Sequence, residues 1–197
     1  MGGARKSLVL ASGSRYRREL LTRLAVPFDV IVPHVCETSQ PGEGPYELTR
    51  RLAIDKAQAV ASQAPHSLII GSDQVAEYDG EIVGKPGGFE EAHRQLRRIS
   101  GKTARLYTGL ALLNAETGRI QVEVALFHIT FRTLSDERIA SYLRKEQPYD
   151  CAGSVKSEGL GIALLERFEG DDPTTLVGLP LIRLTTMLEN EGFPVLA

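Results

Sequence analysis

The chain has 197 residues, is 42% hydrophobic and carries a formal net charge of −2. That size and composition suit one ordinary α/β domain with a full core, or one domain with a lobe. The near-neutral balance speaks against bulk polyanion or nucleic-acid binding, and the absence of tryptophan with only 6% aromatics speaks against a wide base-stacking platform.

The N-terminus Met1-Gly2-Gly3-Ala4-Arg5-Lys6 is basic, but the apolar run behind it, Leu8 to Ala11, is too short for a signal-peptide core. No stretch approaches the roughly 20 apolar residues of a membrane span, so a cytoplasmic protein without membrane association is expected. Cys36 and Cys151 are far apart and form neither a CxxC pair nor a zinc spacing; buried reduced thiols are expected. The four histidines show no HxxxH or HExxH spacing.

In chain order, Leu8 to Ala11 reads as a buried strand and Arg15 to Leu24 as a helix with Ser14 as N-cap. Phe28 to Val32 reads as a second strand. A helix then runs from Glu43-Gly44-Pro45 to about Ala64, with proline in its first turn. Leu68 to Ile70 is a third strand. Gln74 to Tyr78 and Glu81 to Gly84 form a hairpin around Asp79-Gly80. A helix over Phe89 to Ile99 follows, and then two long strands, Thr103 to Leu113 and Ile120 to Thr130. Asp136 to Glu146 is a helix capped by Ser135, Gly161 to Leu165 a late strand, and Leu179 to Glu191 a closing helix. Strands and helices interleave and hairpins intrude, which favours a mixed sheet.

The block Ser67-Leu68-Ile69-Ile70-Gly71-Ser72-Asp73-Gln74 is where chemistry is most visible. An apolar run ends in glycine and then presents one carboxylate, Asp73. Cationic segments are at hand: Arg15, Arg17 and Arg18, then Lys56, then Lys85. Ser12-Gly13-Ser14 precedes the first helix, whose unpaired N–H groups favour phosphate. The segment is neither a Walker motif nor a GxGxxG fingerprint. It reads equally as a phosphate cradle or as a plain N-cap before a solvated arginine face.

Lys56 falls on the apolar stripe Leu48, Leu52, Lys56, Val60, so it either snorkels to the rim or points its ammonium into a cleft. Counting back from Asp79-Gly80, Gln74 opposes Lys85 and brings that lysine beside the end of the Asp73 strand. Glu37 alone reads as an exposed loop residue. With Asp73 and phosphate oxygens it becomes a candidate ligand for a divalent metal. The loop Cys151 to Gly161, rich in glycine and serine and carrying Glu158, is either a close-approach loop or a surface turn.

The segments LVLASGSRYRRELL, RLAIDKAQAVA, LIIGSDQV, GEIVGKP, ISGKTARLYTGLAL and CAGSVKSEGLGIALLERFEGDDPTTLVGLPL together resemble the Maf nucleotide pyrophosphatases, in the YceF-like branch assigned to 7-methyl-GTP. The resemblance runs from about Leu8 to Phe193. It implies an inosine-triphosphate-pyrophosphatase-like α/β fold: a twisted mixed sheet with flanking helices and a cleft between two lobes. It also implies a single Maf-type domain over residues 1–197, with residues 1–6 as a flexible end.

The implied reaction cuts a nucleoside triphosphate between its α and β phosphates, giving a monophosphate and pyrophosphate, with a divalent metal such as Mg or Mn. The family's proton acceptor falls on Asp73. Its substrate-selecting positions fall on Tyr16, Gln74 and Glu158, and its other site positions on Ser12, Arg17, Arg18, Lys56 and Lys85. Its acidic metal-site candidate is Glu37, acting with Asp73.

Tyr16 stands where the branch carries tryptophan. The base assignment has its own rationale. Methylation at N7 makes guanine cationic, an aromatic face attracts a planar cation by roughly 0.5–2 kcal/mol, and a carboxylate accepts from the N1 and N2 hydrogens. The family also implies a nucleotide as partner, and a homodimer. The alternatives are a dTTP/UTP pyrophosphatase, as in the sister branch, and a non-catalytic nucleotide-binding regulator of cell division.

Overall fold

The computed structural model describes residues 6–196. The expected flexible end, residues 1–6, lies outside them except for Lys6. Seven strands form one mixed sheet in the order β2-β1-β3-β5-β6-β7, with β4 paired to β3. The strands are β1 (Ser7–Ala11), β2 (Asp29–Ile31), β3 (Ser67–Tyr78), β4 (Glu81–Val83), β5 (Thr103–Asn114), β6 (Ile120–Phe131) and β7 (Leu165–Glu169). The helices are α1 (Arg15–Thr22), α2 (Pro45–Ala59), α3 (Phe89–Ile99), α4 (Asp136–Glu146) and α5 (Leu181–Asn190). The expected mixed α/β sheet with flanking helices is therefore present. No helix among the described residues is long and apolar enough to cross a membrane.

The chain divides into two compact units, and β3, β5 and β6 each contribute residues to both. The first unit comprises residues 1–73, 108–125 and 172–197. Here β1 pairs in parallel with β2 and with β3, Leu8 opposite Leu68 and Ala11 opposite Gly71. Side chains alternate across a pleated sheet, and both faces are apolar. Leu8, Leu10, Leu68 and Ile70 pack with Leu20 and Leu21 of α1 and with Leu184, Met187 and Leu188 of α5. Val9, Ala11 and Ile69 pack on the other face with Ala57 and Val60. A strand buried on both faces reads as a continuous apolar run, which is why Leu68 to Ile70 stands out in the sequence.

Gly71 and Gly109 allow α2 to lie unusually close to the sheet. A Cβ on Gly71 would stand 2.0 Å from the Ala53 carbonyl oxygen, and one on Gly109 would stand 2.0 Å from that of Thr49. The second unit comprises residues 74–107 and 126–171. In it β4 folds back on β3 with Tyr78 opposite Glu81, and α3 packs against α4.

Several boundaries differ from expectation. Leu68 to Ile70 and Gln74 to Tyr78 are not separate strands but parts of β3, which runs unbroken through Gly71, Ser72 and Asp73. Asp73 is thus a mid-strand residue rather than a strand tip. The hairpin register is as counted, but its ladder ends at Ala76 opposite Val83, so Lys85 lies beyond the paired strand and does not face Gln74 in a ladder. Residues Leu160–Leu164 form a 3-10 turn rather than a strand: Ile162 N bonds the Gly159 carbonyl and Leu165 N the Ile162 carbonyl, which winds the chain. The cysteines are not buried: Cys36 is exposed because it opens a polar, exposed stretch, and Cys151 is half-buried.

Candidate active site

Parity along β3 decides what each residue meets. Ile69, Gly71 and Asp73 share the face turned to α2, and Ser72 shares the face of Ile70. Since Gly71 admits the α2 backbone, Lys56, one turn on from Leu52, is carried over Asp73. Lys56 Nζ donates to Asp73 Oδ1 at 2.7 Å, and the two residues are only 7% and 8% exposed. The same ammonium stands 2.7 Å from Glu37 Oε1, whose side chain is 62% exposed. The lysine on the apolar stripe therefore does not snorkel to the rim; its head is consumed by two carboxylates. A charge this deep is tolerated because it is paired and hydrogen-bonded.

Arg17 completes the set. Burial pulls its guanidinium down from the ordinary value, while the nearby Asp73 and Glu37 carboxylates push it back up. Two cations thus offset two carboxylates at the junction of β1, α1 and β3. Arg17 Nε donates to the Gly178 carbonyl at 2.8 Å, and Ser72 Oγ donates to the same oxygen at 3.0 Å. Gly178 has φ +101°, a conformation that favours glycine, and it ends a short 3-10 turn, Pro173–Val177, capped by the buried Asp172. Asp172 Oδ1 accepts from Thr174 N at 2.9 Å and Oδ2 from Ile182 N at 2.7 Å, so the loop that aims this carbonyl is tied at both ends.

The turn into α1 is built as the sequence implies. Ser14 caps the helix, its Oγ accepting from Arg17 N at 3.4 Å, and the buried Ser12 Oγ accepts from Ser14 N at 3.1 Å. Ser12 and the α1 N-terminus therefore border the Arg17 cluster. Arg18 is exposed. Tyr16 is half-buried and already carries a planar cation. The Arg15 guanidinium carbon lies 4.7 Å from its ring centroid, and Arg15 Nη2 donates to its hydroxyl at 2.7 Å.

The other candidates belong to the second unit. Gln74 is half-buried on β3, and Lys85 and Glu158 are exposed. Lys85 rides on a tethered loop: the Gly84 carbonyl accepts from Gln95 Nε2 at 3.3 Å and from Gly153 N at 3.4 Å, while Ser154 Oγ bonds Gln95 Oε1 at 2.6 Å. The structure thus gathers Ser12, Arg17, Glu37, Lys56 and Asp73 in the first unit. Gly178, Ser72, Gln95 and Ser154 carry no signal in the sequence beyond the usual turn preference of glycine, and only their contacts reveal them.

Among the described residues no group of three or more His, Cys, Asp or Glu side chains gathers to hold a metal. Glu37 and Asp73 do converge on one cation, the Lys56 ammonium. Two hard carboxylates suit an ion that keeps waters and takes its remaining oxygens from phosphates, as Mg does. The donor set therefore fits a metal that takes its remaining oxygens from phosphates and water.

The Maf-like protein family profile matches residues 7–191. Proteins named 7-methyl-GTP pyrophosphatase are similar over nearly the whole chain. The one from Nitrosococcus oceani is 53% identical over 190 residues, covering 96% of each chain. That from Ralstonia nicotianae is 54% identical over 193 residues, covering 98% of this chain and all of its own. That from Pseudomonas savastanoi is 53% identical over 189 residues, covering 96% and 98%.

Proposed function

The chain belongs to the Maf family, and from that premise we propose that it is a nucleoside triphosphate pyrophosphatase that hydrolyses 7-methyl-GTP to 7-methyl-GMP and pyrophosphate. The observation that carries the reading is the largely buried Asp73 held by Lys56, with Glu37 on the same ammonium and Arg17 close by. An exposed ion pair contributes only about 0–1 kcal/mol, and a buried one often contributes less than apolar packing would. Stability is a poor reason for this cluster, and handling a phosphate is a good one.

In this reading Asp73 takes a proton from, or orients, the water that attacks the α-phosphorus. The α–β bond breaks and its electron pair leaves on pyrophosphate. Arg17, Arg18, Lys56 and Lys85 stabilise charge on the transferring group and on the leaving group, and Ser12 with the α1 N-terminus receives phosphate oxygens. A divalent metal such as Mg or Mn, held by Glu37, Asp73 and the phosphates, would supply further charge withdrawal. Tyr16 stacks on the cationic base, Glu158 accepts from its N1 and N2 hydrogens, and Gln74 borders it. The Arg15 guanidinium on the Tyr16 ring supports a preference of that ring for planar cations. The same reading takes the two units as lobes of one domain and the chain as cytoplasmic and homodimeric.

A nucleotide panel tests it. Pyrophosphate release from 7-methyl-GTP, GTP, dTTP and UTP is measured with Mg, with Mn and without metal. Metal-dependent release fastest with 7-methyl-GTP is expected. Preference for dTTP and UTP would reject the substrate, and nucleotide binding without any release would reject the enzyme. Equilibrium sedimentation checks the dimer.

A further inference from the structure

Glu146 lies where a carboxylate is least expected. It is the last residue of α4, at the negative end of the helix dipole, and its side chain is 11% exposed. Its contacts explain it. Oε1 accepts from Lys156 Nζ at 2.8 Å and Oε2 from the backbone N–H of Leu160 at 2.7 Å. One turn earlier on α4, the Tyr142 hydroxyl accepts from Lys156 N at 3.0 Å.

The loop between is wound tightly, Gly159 N and Gly161 N both donating to the Lys156 carbonyl at 3.1 Å. A Cβ on Gly159 would stand 2.7 Å from Glu146 Oε2, so a larger residue here would have to displace the Glu146 carboxylate. Residues 156 to 160 are therefore fastened to α4 at both ends, and the exposed Glu158 sits in the middle. The Lys156 ammonium, then the Leu160 N–H, hold the Glu146 carboxyl below its ordinary value, so the grip is ionic at neutral pH.

We propose that Glu146 is a positioning residue for base selection: by gripping Lys156 and Leu160 it fixes the loop that presents Glu158 to the N1 and N2 hydrogens of a guanine-type base. The inference rests on the reading of Glu158 as base-selecting. A carboxylate on a free loop would lose side-chain and backbone freedom on each binding event, whereas a clamped loop has already lost it. The clamp should therefore act on KM for a guanine-type substrate. It should not act on the chemical step, and should act less on a substrate that lacks the paired N1 and N2 hydrogens of guanine.

The test measures kcat and KM for 7-methyl-GTP and for UTP in Glu158→Gln, Glu146→Ala and the double variant, beside the unaltered protein. Glu158→Gln and Glu146→Ala should each raise KM for 7-methyl-GTP about tenfold with kcat within about twofold, raise KM for UTP by clearly less, and show no further loss when combined. Glu146→Gln, which keeps an acceptor for Leu160 N but loses the ion pair, should fall between. Lys156→Met should match it, and these two milder variants carry the test where Glu146→Ala does not fold.

Three results overturn the inference: an unchanged KM in Glu146→Ala where Glu158→Gln raises it, losses that multiply in the double variant, or an equal loss on UTP. If Glu158→Gln itself leaves KM for 7-methyl-GTP unaltered, the base-selecting reading of Glu158 is what fails, and the inference fails with it.

Discussion

The two units carry their charged groups in opposite ways. In the first, the groups around the reacting carboxylate form the network themselves: the buried Lys56 and Asp73 are in contact, Glu37 reaches the same ammonium from the surface, and the half-buried Arg17 acts on both carboxylates through its charge. In the second, the groups assigned to the phosphates and to the base, Lys85 and Glu158, are exposed. The network lies beneath them, in Gln95, Ser154, Tyr142 and Glu146. Transition-state charge calls for dipoles that are fixed and partly dehydrated before reaction. Recognition of a ligand that arrives from water calls only for an exposed group on a fixed mount. On the proposed assignment the first unit supplies the reacting carboxylate and most of the cations around it, and the second supplies the carboxylate that reads the base.

The largest break of this contrast is Asp73→Asn. The amide keeps an oxygen for Lys56 Nζ, so thermal unfolding should move little, while turnover falls by about 10²–10⁴, the usual worth of a general base. Wild-type turnover in this variant would sink the assignment of the base. A matching change in the second unit, such as Glu158→Gln, should alter KM and spare kcat.

Next comes the packing that delivers Lys56. Gly71→Ala drives a Cβ to 2.0 Å from the Ala53 carbonyl and 2.9 Å from Ala57 N, both backbone atoms with nowhere to rotate. Overpacking of this kind costs about 1–3 kcal/mol, and the upper end is expected here. Because the relief is a shift of α2 away from the sheet, activity should fall further than stability alone explains. Chemical denaturation and kcat measured on the same sample check this. An unstrained, active Gly71→Ala protein would show that the close approach of α2 does not set the Lys56–Asp73 contact.

Arg17→Lys should have a smaller effect. The arginine spends Nε on the Gly178 carbonyl and keeps the rest of its planar fork for a ligand. Lysine has one nitrogen for both tasks. KM should rise about tenfold, and an Arg17→Lys enzyme with unchanged KM would show that the Gly178 anchor is dispensable.

This contrast also decided what the sequence could reveal. The first unit was legible because its function breaks a pattern: Lys56 interrupts an apolar stripe, and Asp73 ends an apolar run of double-sided burial. Gly71-Ser72-Asp73 has the composition of a turn, so β3 reads in the sequence as two strands. In fact the glycine is there to admit a helix, and the strand continues. In the second unit only the exposed tips were visible, and only through resemblance. Gln95 reads as an ordinary helix residue, and its bond to Ser154 joins positions 59 apart in sequence. Glu146 did carry a signal, an acidic residue at a helix C-terminus, but the same residue type is common on solvated helix ends. Gly161 to Leu165 is apolar enough to read as a strand, but Ile162 N bonds the Gly159 carbonyl and Leu165 N the Ile162 carbonyl, which winds most of it into a 3-10 turn.

The smallest effect concerns a grip in the first unit that parallels the one on Glu158. Arg51 Nε meets Glu43 Oε1 at 2.6 Å, and Arg51 Nη2 donates to the Thr38 carbonyl at 3.1 Å, tying down the stretch that carries Glu37. Arg51, then the Gln40 N–H, hold the Glu43 carboxyl down from 4.5 to about 2. A depressed carboxylate contributes stability that is whole above its unfolded value and is lost as pH falls through its folded one. The melting temperatures of the unaltered protein and of Glu43→Gln should therefore differ by a small, constant amount above about pH 5, and should converge as pH drops from 4.5 toward 2. A gap that persists at pH 2 would mean that Glu43 acts by shape rather than by charge. It would leave Glu146, with its half-buried ion pair to Lys156, as the one loop grip of the two that depends on ionisation.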